Sequence, residues 1–227
     1  IRHKSKKYIR NSDATILAGT NSLSSNMFRL EQFPINLFDL ITINNLVLCG
    51  VGWFQYQKKP NFINKTFLKT LLSDDFKHSV RDSYTKKMLN SIGINNVINT
   101  SCPTLWNITP DHIATIPNDK AKYVVTTLTD YNKDEVLDLK LLQLLDSNYE
   151  RVFFWPQGLG DYEYLIRLVQ NIKINLEIIR PNLRSFDSIL DNEEIDYVGT
   201  RLHAGIRAIQ KSVRTFIVAI DNLSLIH

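Results

Sequence analysis

The chain has 227 residues, 44% hydrophobic and 22% charged, a make-up that excludes global disorder and fits one large or two modest domains. Its net charge of +4 is local. Arg2, Lys4, Lys6, Lys7 and Arg10 open the chain with no acid among them, the remainder carries −1, and no broad basic footprint for nucleic acid is left.

In chain order, the basic opening reads as a solvated edge. The absence of an initiator Met and an uncapped close at Ser224-Leu225-Ile226-His227 lead us to expect a chain incomplete at both ends. β-rich apolar runs predict strands at 14–18, 46–49 and 79–81, then a helix over 83–91 stopped by Gly93 and a strand at 96–98. Residues 102–119 carry three prolines and no period, so the hinge is expected there. Beyond it, strands are predicted at 123–128, 151–155, 176–179, 195–198 and 215–220. Helices are predicted at 134–145, 162–172, 186–190 and 203–211. Continuous apolar strands separated by helices describe parallel sheets covered on both faces. The expected fold class is α/β: two Rossmann-like lobes, residues 1–110 and 111–227, with a cleft between them.

Several classes lack support. The longest apolar run, 46–54, is far short of the ~20 residues of a membrane-spanning helix, so no integral membrane segment is expected. Cys49 and Cys102 have no ligand-like spacing and read as buried thiols in a reducing, cytoplasmic setting. The sequons at Asn64, Asn107 and Asn222 read as chance in an Asn-rich chain. Gly50-Val51-Gly52 and Gly158-Leu159-Gly160 lack the third glycine of a dinucleotide fingerprint. No phosphate-loop Lys-Ser/Thr, no nucleophile elbow and no His/Asp cluster suited to a metal is found.

In open α/β sheets ligands bind beyond the carboxyl ends of the strands, so the residues after each strand matter most. Gly199-Thr200-Arg201-Leu202-His203 is the strongest such group. A helix start offers unpaired N–H groups, Arg201 a planar fork for phosphate or carboxylate, and His203 a proton carrier near neutral pH. Arg207 follows one turn later. Arg81-Asp82 reads as a salt-bridged turn or an anion contact. Asp130 and Asp161 read as helix caps, as partners of a sugar hydroxyl, or as bases. Asp221-Asn222 follows the last strand.

Taken in order, these stretches resemble the polysaccharide pyruvyl transferase family. The matching segments are Asp13–Asn21, Leu48–Gly52, Ser79–Thr85, Cys102–Trp106, Leu128–Tyr131, Trp155–Gly158 and Asp196–Gly205. The family's Asn-x-Gly-Asp segment ahead of the first strand is not in the chain. The resemblance implies a fold like the B-type glycosyltransferases, with the first lobe on the acceptor side and the second on the donor side. It implies transfer of a pyruvyl group from phosphoenolpyruvate, as a ketal, to hydroxyls of a sugar in a cell-surface polysaccharide or exopolysaccharide. Phosphoenolpyruvate is a co-substrate, and neither a cofactor nor a metal is expected. The implied acceptor is an oligo- or polysaccharide, free or lipid-linked, and the implied setting is the cytoplasm, in solution or peripheral to the membrane; nucleic acid is not an expected partner. His203 and Asp130 are the expected catalytic residues. Arg81, Asp82, Gln157, Gly158, Gly199, Thr200, Arg201 and Arg207 are expected to bind substrate. Two alternatives stay open: a sugar-nucleotide glycosyltransferase of the same fold, or a catalytically silent glycan-binding module.

Overall fold

The computed structural model of the chain describes residues 3–30, 33–43, 45–170, 172–192 and 194–220. Arg2, Asp221-Asn222 with its sequon, and the close at 224–227 lie outside the described residues. The chain divides into two compact units between Trp106 and Asn107. Both are α/β with parallel strands, and the fold is Rossmann-like.

In the first unit the basic opening, read as a solvated edge, is helical: α1 spans His3–Arg10. Strand β1 (Thr15–Ala18) pairs in parallel with β2 (Leu46–Cys49), Thr15 opposite Leu46. Between them lie two 3-10 helices, Met27–Arg29 and Leu37–Ile41. The second begins with a reciprocal cap. Asn36 accepts from the Phe38 and Asp39 N–H groups, and the Asp39 carboxylate accepts from the Asn36 N–H. Helix α2 (Phe62–Leu71) starts at an Asn61 cap and buries Asn64, Phe67, Leu68 and Leu71. The sequence reading contains no helix here, because Phe62 and Ile63 point outward and blur the 3.6-residue period. Asn64 is buried and accepts from the Met27 N–H, so the amide of its sequon is enclosed.

Strand β3 (His78–Val80), helix α3 (Ser83–Ser91) and strand β4 (Val97–Asn99) follow. Gly93 sits at φ +85° and closes α3 as expected. β3 and β4 are parallel. A bridge between Val51 and Val80 joins β3 to the segment after β2, with Gly50 N–H on Ser79 O at 3.0 Å and Arg81 N–H on Val51 O at 3.1 Å. His78 is fully buried: Nδ1 accepts from the Leu48 N–H at 3.2 Å, so Nε2 carries the proton and donates to Ser73 O at 2.9 Å. Burial lowers its pKa.

The second unit opens with a short helix, α4 (Pro110–Ala114), capped by Thr109 inside the stretch read as aperiodic. Then come β5 (Tyr123–Thr126), α5 (Glu135–Asn148), β6 (Arg151–Phe154), α6 (Leu159–Val169), β7 (Leu176–Ile178), α7 (Leu183–Leu190), β8 (Ile195–Gly199), α8 (Leu202–Gln210) and β9 (Thr215–Ile217). All five strands are parallel, in the order β7-β6-β5-β8-β9. The chain runs outward one way from β5 through β6 to β7, then returns to the centre for β8 and runs out the other way. The β5/β8 boundary is therefore the topological switch point. Beneath it Trp155 stacks on Phe186 with ring centroids 4.0 Å apart, so Trp155 is core. α6 begins at Leu159, three residues before the predicted start, because Gly158 ends the loop and Asp161 belongs to the first turn. Among the described residues no helix is long and apolar enough to cross a membrane.

Candidate functional site

At the switch point the loop after β5 and the turn from β8 into α8 lie side by side. Gly199 permits this. A Cβ there would sit 2.6 Å from Thr127 Oγ1 and 2.8 Å from its backbone N and O. Thr200 N–H donates to Thr127 O at 3.0 Å, and the Thr200 and Thr129 hydroxyls meet at 2.9 Å. Thr200 is thus buried in the seam, and its side chain knits the two loops together. Tyr197 completes the frame: its hydroxyl donates to Arg201 O at 2.9 Å and lies 2.6 Å from Thr127 Oγ1. Burial raises its pKa, which keeps the phenol protonated as that donor.

This frame holds Arg201 at the N-cap of α8. Its guanidinium is shared between two carboxylates. Nη2 donates to Asp130 Oδ1 at 2.8 Å and to Asp161 Oδ1, while Nε reaches Leu128 O at 3.3 Å. Tyr131 lies against the guanidinium, 5.4 Å from ring centroid to Cζ. Asp161 is buried and its second oxygen accepts from the Gln157 N–H at 2.9 Å. Asp130 approaches α6 closely enough that a Cβ on Gly160 would sit 2.2 Å from Oδ2. With two carboxylates on one guanidinium, the cluster carries −1 rather than an unpaired positive charge. Arg201 is set in place by Asp130 and Asp161, which sequence spacing alone could not connect.

His203 follows in the first turn of α8, on the exposed side of the helix. A neighbouring surface is open as well. Gly158 caps α6 with no side-chain bond, and Gln157, Gly158 and Leu159 are exposed. Beside them lies a pocket of about 590 Å³ walled by Pro156, Tyr162, Ile179 and Pro181, with Arg180 on its lining.

The first unit has a different kind of polar corner at its own strand ends. Asn21 follows β1, Gly52 follows β2 and Arg81 follows β3. A Cβ on Gly52 would fall 2.3 Å from Asn21 Oδ1 and 2.9 Å from Arg81 Nε, so glycine lets the three converge. Arg81 is 5% exposed, and Nε is buried without a partner. Among the described residues its guanidinium makes no ion pair. Burial pushes its pKa below the ordinary arginine value, and nearby Cys102 and Asp82 oppose that shift. A buried cation without an ion-pair partner is costly and is relieved by an anion.

Comparison with known families meets this geometry at its motifs. The polysaccharide pyruvyl transferase model matches residues 1–222, nearly the whole chain. The chain belongs to the polysaccharide pyruvyl transferase family. This is a family of transferases that move a pyruvyl group, with a carbohydrate as acceptor. No curated protein matches the chain.

Two expected binding residues of this pyruvyl transferase have other work. Arg207 donates through Nε and Nη2 to both oxygens of Asp187 at 2.8 and 2.9 Å, a fork that ties α8 to α7. The pair lowers the Asp187 pKa and raises that of Arg207, in each case chiefly through their hydrogen bonds. Asp82 caps α3, one oxygen accepting from the Thr85 N–H at 2.6 Å and the other from its hydroxyl at 2.9 Å. Both its acceptor oxygens are engaged, and no Arg81–Asp82 salt bridge forms. Asn21 and Gly52 are the site residues absent from the expected binding set, while Asp161, read as a cap, a hydroxyl partner or a base, holds Arg201. The paired glycines at Gly50 and Gly52 were the visible hint of a close approach, but not of what approaches. Among the described residues no group of three or more His, Cys, Asp and Glu side chains is placed to hold a metal.

Proposed function

We propose that this pyruvyl transferase takes its pyruvyl group from phosphoenolpyruvate and sets it as a ketal on two hydroxyls of a sugar in a cell-surface polysaccharide or exopolysaccharide. The observation that carries this reading is the placement of His203 in the first turn of α8, two residues after the clamped Arg201, at the switch point of a family member. The donor is trianionic, and the N-terminus of α8 offers N–H groups and a positive dipole end toward it. His203 as imidazolium delivers a proton to the methylene carbon, which becomes a methyl group. The adjacent carbon takes on oxocarbenium character and is attacked by a sugar hydroxyl whose proton passes to Asp130. Phosphate leaves with the C–O electron pair, accepting the proton held by Asp130, which restores the carboxylate. The second hydroxyl then adds to the same carbon, and its proton restores His203.

In this reading the second unit is the donor side and the first the acceptor side. Gly199 and Thr200 shape the turn, while Gln157 and Gly158 present polar groups beside it. Arg81 receives an anionic group at the corner of the first unit. The test is incubation of the protein with phosphoenolpyruvate and defined oligosaccharides, read by product mass and phosphate release. Addition of one pyruvyl ketal with stoichiometric phosphate is expected. Consumption of a sugar nucleotide, with phosphoenolpyruvate untouched, would replace this reading by glycosyl transfer. His203→Gln should lower turnover by roughly 10²–10⁴-fold, with the donor KM changed far less.

A further inference from the structure

We propose that the first unit carries a docking face for an anionic lipid surface, built on the 3-10 helix Leu37–Ile41 and the N-terminal turn of α2. These two helices pack against each other. The 3-10 helix exposes Leu37, Phe38 and Ile41 at 59%, 77% and 77%, and α2 adds Phe62 and Ile63 at 81% and 63%. Five large apolar side chains on two neighbouring helices are an unusual amount of apolar surface to leave in water. They are held out by construction. The Asn36–Asp39 cap fixes the short helix with Asp39 buried beneath it, and Asn64 anchors the first turn of α2 to the Met27 backbone.

The charge around this surface selects the partner. Lys58, Lys59, Lys65 and Lys69 are all exposed and flank or follow the α2 turn. Along the sequence, residues 1–72 hold ten basic and three acidic residues, whereas 73–227 hold 17 and 20. Five of those ten belong to the opening decapeptide; residues 11–72 still hold five basic and three acidic residues, and four of the five are the lysines that rim the apolar tips. Protruding Phe, Leu and Ile rimmed by lysine fit the boundary between anionic headgroups and acyl chains, where the tips enter hydrocarbon and the ammonium groups meet phosphate. A nucleic-acid partner would use the lysines but leave the aliphatic tips in water. A second copy would bring like charge against like. The inference is independent of the donor chemistry.

The experiment is vesicle co-flotation of the full chain at low and high salt. Vesicles of phosphatidylcholine alone are compared with vesicles holding about a third phosphatidylglycerol, an anionic fraction on the order found to attract basic segments. Binding to the anionic vesicles, weakened by salt, is expected. Phe38→Ser with Phe62→Ser should lower the partition coefficient at least about tenfold, and each of Lys58→Ala and Lys59→Ala about fivefold. Both aromatic positions are exposed, and unchanged thermal melts would show that the variants fold. Three results would overturn the proposal: no flotation of folded wild type with anionic vesicles, flotation indifferent to the Phe38 and Phe62 changes, or a dimer in sedimentation that those changes dissolve while vesicles are ignored.

Discussion

Arg81→Met separates a binding role for the buried arginine from a structural one by the sign of its effect. Methionine approximates the length of the arginine stem and fills the space without a charge. Arg81 is 5% exposed, its Nε lacks a partner, and no carboxylate pairs with it among the described residues. An unsatisfied buried polar group costs about 1–3 kcal/mol, so its removal should raise the stability of the first unit by about that amount. Bound anion reverses the comparison. At a concentration 100-fold above Kd a ligand stabilises the wild type by about 2.7 kcal/mol, and the methionine variant should gain almost none of this. Urea unfolding in a Trp155→Phe background leaves Trp53 and Trp106, both in the first unit, as fluorescent reporters. Melts with and without inorganic phosphate, and with pyruvate as a simple carboxylate, give both terms. A variant less stable than wild type without ligand, yet stabilised as much by either anion, would refute the reasoning.

Asp187→Ala removes the partner of Arg207 on a half-exposed helix–helix contact, so it should cost no more than about 1 kcal/mol in a melt. Its donor KM should match wild type in steady-state kinetics, because Arg207 acts between α7 and α8. Gly199→Ala forces a Cβ against the Thr127 backbone and should cost about 1–3 kcal/mol, with turnover falling as the turn that carries Arg201 and His203 is displaced. His78 gives a pH signature. Its folded pKa lies below its unfolded value, so the unfolded chain binds the proton first as pH falls. The stability it supports is complete above about pH 6.5 and is lost as pH drops below it, at up to about 1.4 kcal/mol per pH unit. Urea midpoints between neutral and mildly acidic pH should show this slope, and His78→Gln should flatten it.

Local chemistry was enough to place much of this protein. The apolar runs at 123–128, 151–155 and 195–198 read as buried parallel strands, and Gly93 as a helix stop, because burial and left-handed backbone write themselves into residue type. The strand-end list found Arg201 and His203 for the same reason: a parallel sheet delivers its functional residues at its carboxyl edge. What sequence could not supply was pairing at a distance. Nothing near Arg201 in the chain names Asp130 and Asp161, 71 and 40 residues away, as its partners. Nothing near Arg207 shows that Asp187, twenty residues back, already holds it. Asp82 looked like a partner for Arg81 because it is adjacent, yet adjacent side chains diverge where a strand turns into a helix, and its oxygens cap α3. Helix α2 hid because its outward face is apolar, against the pattern that marks a helix. In each case residue type was visible in the sequence, and only the folded chain decided which charge met which, and which hydrophobic side chain was left facing water.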